Sequence, residues 1–499
     1  MLTKLSQLYL DSNALVGSIP TELGFLTALG QLLLNSNQLD SNIPTELGLL
    51  TKLSRLYLHK NALVGSIPTE LGFLAALGQL QLYSNQLDSN IPTELGLLTK
   101  LSWLGLYDNA LAGSIPTELG FLTGMEDMQL YNNQLSSNIP TELGLLSKLS
   151  ELYLYDNALV GSIPTELGFL TALGQLQLYS NQLSSNIPTE LGLLTKLSWL
   201  YLYDNALAGS IPTELGLLSV LQEMSLRTNQ LDSNIPTELG LLTKLSRLYL
   251  RENALVGSIP TELGFLTRMA DMQLYSNQLS SNIPTELGLL TKLSLLHLDE
   301  NVLDGSIPTE LGFLTAMEDM HLYSNQLSSI IPTELGLLTK LSRLYLHDNA
   351  LVGSIPTELG FLADMEVMTL SSNQLSSNIP TELGLLTKLS RLYLRENALV
   401  GSIPSEIGLL SSLPVLWLQG NQLSGAVPQE LLALAEGGLL ADLNVTGNPL
   451  LSGVIPENIC LLNMTLDFDC APSLCGCDCS CGVTSPGQIH STLGNDAGK

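Results

Sequence analysis

An asparagine recurs every 24 residues in this chain, from Asn13 through Asn37 to Asn421, and this repeat constrains the fold more than any other feature. A further copy, Asn448, follows after a three-residue insertion. A fixed period of roughly 20–29 residues within a frame of leucines is typical of solenoids, in which each repeat forms one coil. Because one coil has no core of its own, neighbouring coils must bury one another's leucines.

The first repeat predicts a short strand, a turn and a short helical turn. Leu8 and Leu10 alternate with polar or aromatic neighbours, as in a strand with one buried face. Asn13 follows, and its side-chain amide can bond backbone groups of the turn that no strand partner reaches. Repeated in every coil, it predicts a buried asparagine ladder. Pro20 predicts the first position of the helical turn, and Gly24 its end.

The Gly-x-Ile-Pro element and the 24-residue period resemble the plant-specific class of leucine-rich repeat (LRR) proteins. That class includes receptor ectodomains, receptor-like proteins and polygalacturonase inhibitors, and the near-identity of the copies also resembles long algal LRR arrays. The resemblance implies an α/β solenoid, with a parallel β-sheet on its concave face and short 3-10 or helical turns on its convex side. It is specific for the fold and weak for function, because this scaffold binds many unrelated ligands.

The pattern predicts three regions along the chain. Residues 1–456 form the solenoid of about 19 repeats, residues 457–481 a cysteine-rich cap, and residues 482–499 a disordered tail. Members of the class begin with a signal peptide and a cysteine-paired cap, whereas this sequence starts inside a repeat at Met1. We therefore interpret the N-terminus as truncated, and we expect the first coil to expose leucines. The sequence predicts no membrane span.

All six cysteines follow the repeats, which predicts disulfides in an oxidising compartment. Their pairing cannot be deduced, and a metal site in the Cys-x-Cys-x-Cys-x-Cys run is the alternative. Two glycosylation sequons, at Asn444 and Asn463, agree with an extracellular or cell-surface location. The cysteines are Cys460, Cys470, Cys475, Cys477, Cys479 and Cys481.

The net charge of −28 argues against a nucleic-acid partner, which would need a basic surface. Glutamates recur just after each proline, as at Glu22, Glu46 and Glu70, and form either a solvated acidic edge or a cation-binding ladder. No catalytic motif stands out, and we predict no enzyme activity, no cofactor and no metal site in the repeats. The histidines are interpreted as scattered over distant coils or the tail; they are His59, His297, His321, His347 and His490.

Every one of the 15 tyrosines lies two or four residues before a repeat asparagine, at positions that face outward from the concave sheet. One interpretation is that tyrosine suits a half-exposed strand and was copied with its repeat. The other is a binding strip, because tyrosine, tryptophan and arginine are enriched at interfaces. The candidate ligand-binding residues are Tyr83, Trp103, Tyr107, Tyr131, Tyr153, Tyr155, Tyr179, Trp199, Tyr201, Tyr203, Arg227, Arg247 and Arg251.

A second stripe follows the repeat glycine, where every repeat carries Phe or Leu, beginning with Phe25, Leu49 and Phe73. Either these side chains tuck between neighbouring turns, or they form an apolar ridge for self-association or for a partner.

The sequence is most consistent with a non-catalytic recognition module, secreted or on the cell surface, that binds a protein, peptide or glycan on its concave face. The alternatives are a structural or adhesive matrix protein that self-associates, and an inhibitor of a secreted hydrolase.

Overall fold

The computed structural model describes residues 4–452 and the backbone of residues 465–467. The chain divides into two compact units, Met1–Leu327 and Ser328–Lys499. Each unit is a stack of similar coils, so one coil explains most of the architecture.

The first strand of each coil comprises the three residues that lie six to four positions before the repeat asparagine. Within each unit, successive strands pair in parallel, one repeat apart, so that Gln7 faces Gln31 and Leu8 faces Leu32. In the first unit these strands are Gln7–Tyr9, Gln31–Leu33, Arg55–Tyr57, Gln79–Gln81, Trp103–Gly105, Asp127–Gln129, Glu151–Tyr153, Gln175–Gln177, Trp199–Tyr201, Glu223–Ser225, Arg247–Tyr249, Asp271–Gln273, Leu295–His297 and Asp319–His321. In the second unit they are Arg343–Tyr345, Val367–Thr369, Arg391–Tyr393, Val415–Trp417, Asp442–Asn444 and Thr465–Asp467.

In the first strands from Gln7–Tyr9 to Asp442–Asn444, the middle residue points into the core, as Leu56 and Leu104 do with no exposed surface. Its two neighbours and the second residue beyond the strand therefore point outward. The in-register pairing aligns these outward residues into three columns, which we call the −6, −4 and −2 columns after their distance from the repeat asparagine. The surface that they form is the sheet face.

The predicted helical turns are five-residue 3-10 helices on the opposite side of each coil. The proline lies one position earlier than predicted, since Pro20 is the extended cap residue (φ −64°, ψ 132°) and the helix begins at Thr21. The 3-10 helices are Thr21–Phe25, Thr45–Leu49, Thr69–Phe73, Thr93–Leu97, Thr117–Phe121, Thr141–Leu145, Thr165–Phe169, Thr189–Leu193, Thr213–Leu217, Thr237–Leu241, Thr261–Phe265, Thr285–Leu289, Thr309–Phe313, Thr333–Leu337, Thr357–Phe361, Thr381–Leu385 and Ser405–Leu409.

A second set of short strands, which the sequence analysis did not predict, follows the asparagine. They also pair in parallel, as Val16 does with Gln38. In the first unit they are Val16–Gly17, Gln38–Leu39, Val64–Gly65, Gln86–Leu87, Ala112–Gly113, Gln134–Ser137, Ala158–Gly161, Gln182–Ser185, Ala206–Gly209, Gln230–Leu231, Val256–Gly257, Gln278–Ser281 and Val302–Leu303. In the second unit they are Ser328–Ser329, Ala350–Gly353, Gln374–Asn378, Ala398–Gly401, Gln422–Gly425 and Leu450–Leu451.

The three-residue insertion before Asn448 is accommodated by an α-helix. Residues Gln429–Glu436 form this eight-residue helix where other coils have a 3-10 turn. The first strand of that coil still pairs in register, with Leu443 beside Leu416. No helix among the described residues is both long and apolar enough to cross a bilayer.

The asparagine ladder is present as predicted. The Nδ2 of Asn205 donates to the carbonyl oxygens of Leu202 in its own coil (3.1 Å) and Leu178 in the preceding coil (3.0 Å). Its Oδ1 accepts the backbone N–H of Leu183, also in the preceding coil, at 2.9 Å. With a further contact to the carbonyl oxygen of Tyr203, one side chain thus bonds four backbone groups and joins two coils.

The Phe/Leu column that starts at Phe25 is exposed over its whole length, each side chain between 49% and 60%. The interpretation that these side chains tuck between the turns is wrong. Adjacent turns lie too close, because a β-carbon at Gly72 would be 2.5 Å from the carbonyl oxygen of Glu94. Leu71 and Leu74 already fill the interior of that turn, with no exposed surface.

The first coil exposes leucines, as expected. Leu10 and Leu15 are 38% and 37% exposed, whereas Leu34 and Leu39, their equivalents in the next coil, are 3% and 4% exposed.

The six cysteines, Asn463, His490 and the predicted tail lie outside the described residues. Backbone pairing continues into the range predicted as a cap, because Thr465–Asp467 pairs with Asp442–Asn444. The region boundaries and disulfides therefore stay predictions, as does glycosylation of Asn444.

Replacing Asn205 by Ala should lower the free energy of unfolding by about 2–4 kcal/mol, because the backbone groups of Leu178 and Leu183 lose their partner in a half-buried site. Urea unfolding followed by circular dichroism measures this change. Gln182→Ala is the control, since Gln182 is exposed and its loss should cost little. Equal effects of the two substitutions would contradict the role given to the ladder.

Candidate functional site

Seven rings form one continuous stack along the −2 column of the first unit. Neighbouring ring centroids lie 4.2 to 4.3 Å apart, with interplanar angles of 9° to 14°. The guanidinium carbon of Arg227 continues the stack, 4.0 Å from the centroid of the Tyr203 ring. The rings belong to His59, Tyr83, Tyr107, Tyr131, Tyr155, Tyr179 and Tyr203.

The stack presents ring edges and hydroxyls, because each ring face lies against another ring. Burial raises the pKa of Tyr107, Tyr131, Tyr155 and Tyr179, and neighbouring tyrosines raise it further. The phenols are therefore neutral at physiological pH and can both donate and accept hydrogen bonds. At the end of the stack, burial lowers the pKa of His59 to about 4, so that its ring is also neutral.

The predicted tyrosines of the −4 column form hydrogen bonds with side chains of the −6 column. The hydroxyl of Tyr153 shares its one proton between Glu151 Oε2, at 2.9 Å, and Gln175 Oε1, at 2.6 Å. The hydroxyl of Tyr201 donates to Glu223, which is also the ion-pair partner of Arg247. These contacts hold the side chains in place before any ligand arrives.

The predicted arginines of the −2 column are also engaged. Arg227 pairs with Asp204 at 3.4 Å, and Arg251 pairs with its neighbour Glu252. The guanidinium carbon of Arg251 lies 5.2 Å from the centroid of Tyr275. Positive and negative charges therefore alternate on this part of the sheet face.

A notch interrupts the tyrosines at Gly105. The −4 position carries tyrosine two coils to either side, at Tyr57 and Tyr153, glutamine in the adjacent coils, at Gln81 and Gln129, and glycine at Gly105. A β-carbon at Gly105 would have only ordinary contacts, 3.4 Å from Tyr83 Cδ1 and 3.8 Å from Tyr107 Cε1. Trp103 borders the notch on the −6 side of the same strand.

The indole N–H of Trp103 is buried and has no hydrogen-bond partner among the described residues. A buried donor without a partner costs free energy, which a ligand acceptor would recover. The other predicted tryptophan, Trp199, lies 6.3 Å from Tyr201 between ring centroids. All thirteen predicted residues thus occupy the outward columns, and those from Tyr83 to Arg227 form one connected surface.

The interpretation of the histidines as scattered is wrong for one pair. His297 and His321 face each other in adjacent strands, with their rings stacked at 4.0 Å. Asp319 joins them, with one carboxylate oxygen 2.8 Å from His321 Nε2. Burial alone would raise the pKa of Asp319, but the neighbouring imidazoles of His297 and His321 outweigh it and hold the pKa well below its usual value. The signal for this cluster was the spacing of one repeat between the two histidines.

Two surface depressions lie away from these clusters. One of about 730 Å³ is lined by Asn234, Pro260 and Asn282, beside the second strands. Another of about 660 Å³ repeats the same lining two coils earlier, at Asn186 and Pro212. Both are shallow furrows that recur with the repeat, so we assign them no ligand.

No family model and no curated protein matches this sequence. Solved structures do match this chain, and three of them show the range of similarity. The LRR ectodomain of the plant membrane receptor kinase GASSHO1/SCHENGEN3 from Arabidopsis thaliana, in complex with CASPARIAN STRIP INTEGRITY FACTOR 2, is 35% identical with a TM-score of 0.78. The alignment covers 96% of this chain and 63% of that one. This chain thus spans less than two thirds of that ectodomain.

The Arabidopsis receptor kinase HAESA, in complex with the peptide hormone IDA and the co-receptor SERK1, is 33% identical with a TM-score of 0.79. That alignment covers 93% of this chain and 82% of the receptor. The chain belongs to the leucine-rich repeat family of plant receptor ectodomains. An LRR protein of Leptospira interrogans is also similar, at 31% identity and a TM-score of 0.59, over 86% of this chain and 93% of that one.

These likenesses confirm the predicted LRR fold, with its parallel sheet on the concave face and its 3-10 turns on the convex side. The two plant structures belong to receptors, and neither likeness indicates a catalytic family for this LRR protein.

Replacing Tyr131 by Ala should destabilise the LRR protein by about 1–3 kcal/mol, because the rings of Tyr107 and Tyr155 each lose a stacked partner. Tyr131→Phe keeps both contacts and should lie within about 0.5 kcal/mol of the wild type. Thermal and urea unfolding compare the two variants. Equal stabilities would show that stacking contributes nothing here.

Replacing Asp127 by Asn should stabilise the LRR protein at pH 8 by about 1 kcal/mol, discounted for partial exposure, and by nearly nothing at pH 4. Burial, together with the nearby carboxylate of Glu151, raises the pKa of Asp127 to about 6. Since this value exceeds that of the unfolded chain, ionisation costs stability above pH 6. Unfolding measured from pH 4 to pH 8 tests the sign. Asp156→Asn, at an exposed position, is the control.

Proposed function

We propose that this LRR protein is a secreted or cell-surface recognition module that binds an extended peptide, or an extended segment of a protein, along its sheet face. The observation that carries the proposal is the connected surface from Trp103 to Arg227, built on the stacked rings. An extended peptide has the shape and the backbone donors and acceptors to follow a row of hydroxyls.

A preorganised surface favours binding because few side chains must be ordered when the ligand arrives. The tyrosines are held by stacking on both sides, and Tyr153 by two hydrogen bonds. Trp103 adds a buried N–H that can donate to a peptide carbonyl. Gly105 lies beside it on the same strand and carries no side chain.

The charges nearby favour a ligand with mixed charge. Asp108 and Asp156 lie at the edge of the stack, while Arg227 closes its end. A polyanion would be repelled by the net charge of −28, and a purely apolar ligand would leave the hydroxyls without partners.

The similar structures support the same class of ligand. HAESA is seen with a peptide hormone and a co-receptor, and the GASSHO1/SCHENGEN3 structure is described as an ectodomain of a membrane receptor kinase. An extracellular or cell-surface location follows for this protein as part of the proposal.

The test is capture of peptides from a secreted-peptide mixture by the immobilised full chain, with mass spectrometry as the readout and titration of each captured peptide by calorimetry. Gly105→Tyr introduces the residue that the coils two repeats away carry at this position, Tyr57 and Tyr153, and fills the notch. It should reduce the affinity for a captured peptide at least tenfold while the protein stays folded, because the added ring occupies the ligand's place.

Phe169→Ser is the matched control, since Phe169 is 60% exposed on the side of the 3-10 turns. It should leave the affinity unchanged. If Phe169→Ser abolishes capture and Gly105→Tyr does not, the ligand binds the Phe/Leu column rather than the sheet face, and the proposal is wrong.

A further inference from the structure

A cluster of His297, Asp319 and His321 lies on the sheet face of the first unit, several coils beyond the peptide surface. Each residue offers one ligand atom, and the three atoms lie within 4.8 Å of one another. Because strands pair in register, His297 and His321 are neighbours in the −4 column, and Asp319 is in the −6 column of the same strand as His321.

We propose that these three side chains bind a divalent first-row transition ion, Zn²⁺ foremost. The inference is independent of the peptide-binding proposal, because it uses other residues and needs no second ligand.

The distances suit one ion held between the three side chains. His321 Nε2 lies 2.8 Å from Asp319 Oδ1, and His297 Nε2 lies 3.8 Å from Asp319 Oδ2. In a tetrahedral zinc site with bonds of about 2.0–2.1 Å, ligand atoms lie about 3.3 Å apart. These two separations fall on either side of that value, so small side-chain rotations would complete the site.

The donor set selects the class of metal. Two imidazoles with one carboxylate suit zinc, copper, nickel or iron, whereas calcium and magnesium prefer a set of oxygens alone. The neutral imidazoles and the ionised carboxylate leave a bound Zn²⁺ with one positive charge, which a further carboxylate can offset.

Asp299 supplies that carboxylate from the −2 column. Its Oδ1 lies 3.8 Å from His321 Nδ1, which is the ring nitrogen that would not bind the ion. Its side chain is only 3% exposed. A buried carboxylate behind a ligating histidine is the usual outer partner in zinc sites, where it orients the ring and increases its basicity.

The cluster is partly covered but open to the sheet face. The side chains of His297, His321 and Asp319 are 16%, 21% and 9% exposed. Three protein ligands leave at least one coordination position, which would face water or a partner group. The rival explanation is a network in which shared protons, with no ion, join the histidines to Asp319.

The experiment uses the full chain and two ions, Zn²⁺ in calorimetric titrations and Cu²⁺ in electron paramagnetic resonance. The wild type should bind one more equivalent of Zn²⁺ than the double variant His297→Asn/His321→Asn. Its Cu²⁺ spectrum should show nitrogen hyperfine splitting from imidazoles that the variant lacks. Comparing stoichiometries in the same redox state separates this site from ions bound by the cysteines of residues 460–481.

Two further variants keep the test decisive. Asp319→Asn should weaken Zn²⁺ binding at this site at least tenfold, even if the double variant fails to fold. His59→Gln should leave the stoichiometry and the spectrum unchanged, because His59 lies alone in the ring stack far along the chain. Zn²⁺ should also raise the melting temperature of the wild type but not that of Asp319→Asn. Equal stoichiometry in the wild type, the double variant and Asp319→Asn would show a proton network and overturn the proposal.

Discussion

The repeat asparagine makes the contact on which the rest of the structure depends. Each side chain, such as Asn205, bonds backbone groups in its own coil and in the preceding one. Those backbone groups lie in the turn after the strand, where the sheet offers no partner. A slip of even one residue between coils would leave them unsatisfied in a half-buried place, at about 1–3 kcal/mol each. The ladder therefore imposes the register of the whole stack within each unit.

Because the coils stack in register, equivalent residues of adjacent coils form columns. Both proposed sites consist of residues from these columns. The stacked tyrosines meet at 4.2 to 4.3 Å because equivalent residues of adjacent coils stand side by side. The same rule brings His297 beside His321. On the opposite side, the same register aligns the Phe/Leu column. Adjacent 3-10 turns approach each other closely at Gly72 and its equivalents, so the large side chains of this column point outward. Nothing in the structure shows what covers that column, so its predicted role in self-association stays a prediction.

Much of this could be read from residue positions. The strand, the buried leucines and the role of Asn13 and its successors follow from period and residue type, and the outward placement of Tyr83 to Tyr203 follows from alternation along a strand. The short second strands were missed because two-residue pairings leave no pattern of their own. The Pro20 position was wrong by one residue because proline suits both the cap and the first helical position. The histidine pair was missed because distance along the chain was taken for distance in space.

The sequence by itself determined the solenoid, its period and the column to which each side chain belongs, because each residue's position within the repeat fixes the side of the coil on which it lies. Only the tertiary structure decided which side chains of adjacent coils contact one another and which stay exposed. It showed that the tyrosine faces are covered by one another and that Trp103 borders a notch at Gly105. It also showed that Phe25 and its equivalents face water. The physical reason is that exposure and contact depend on the distance between coils and on the side chains already packed there, and neither quantity is written in a single repeat.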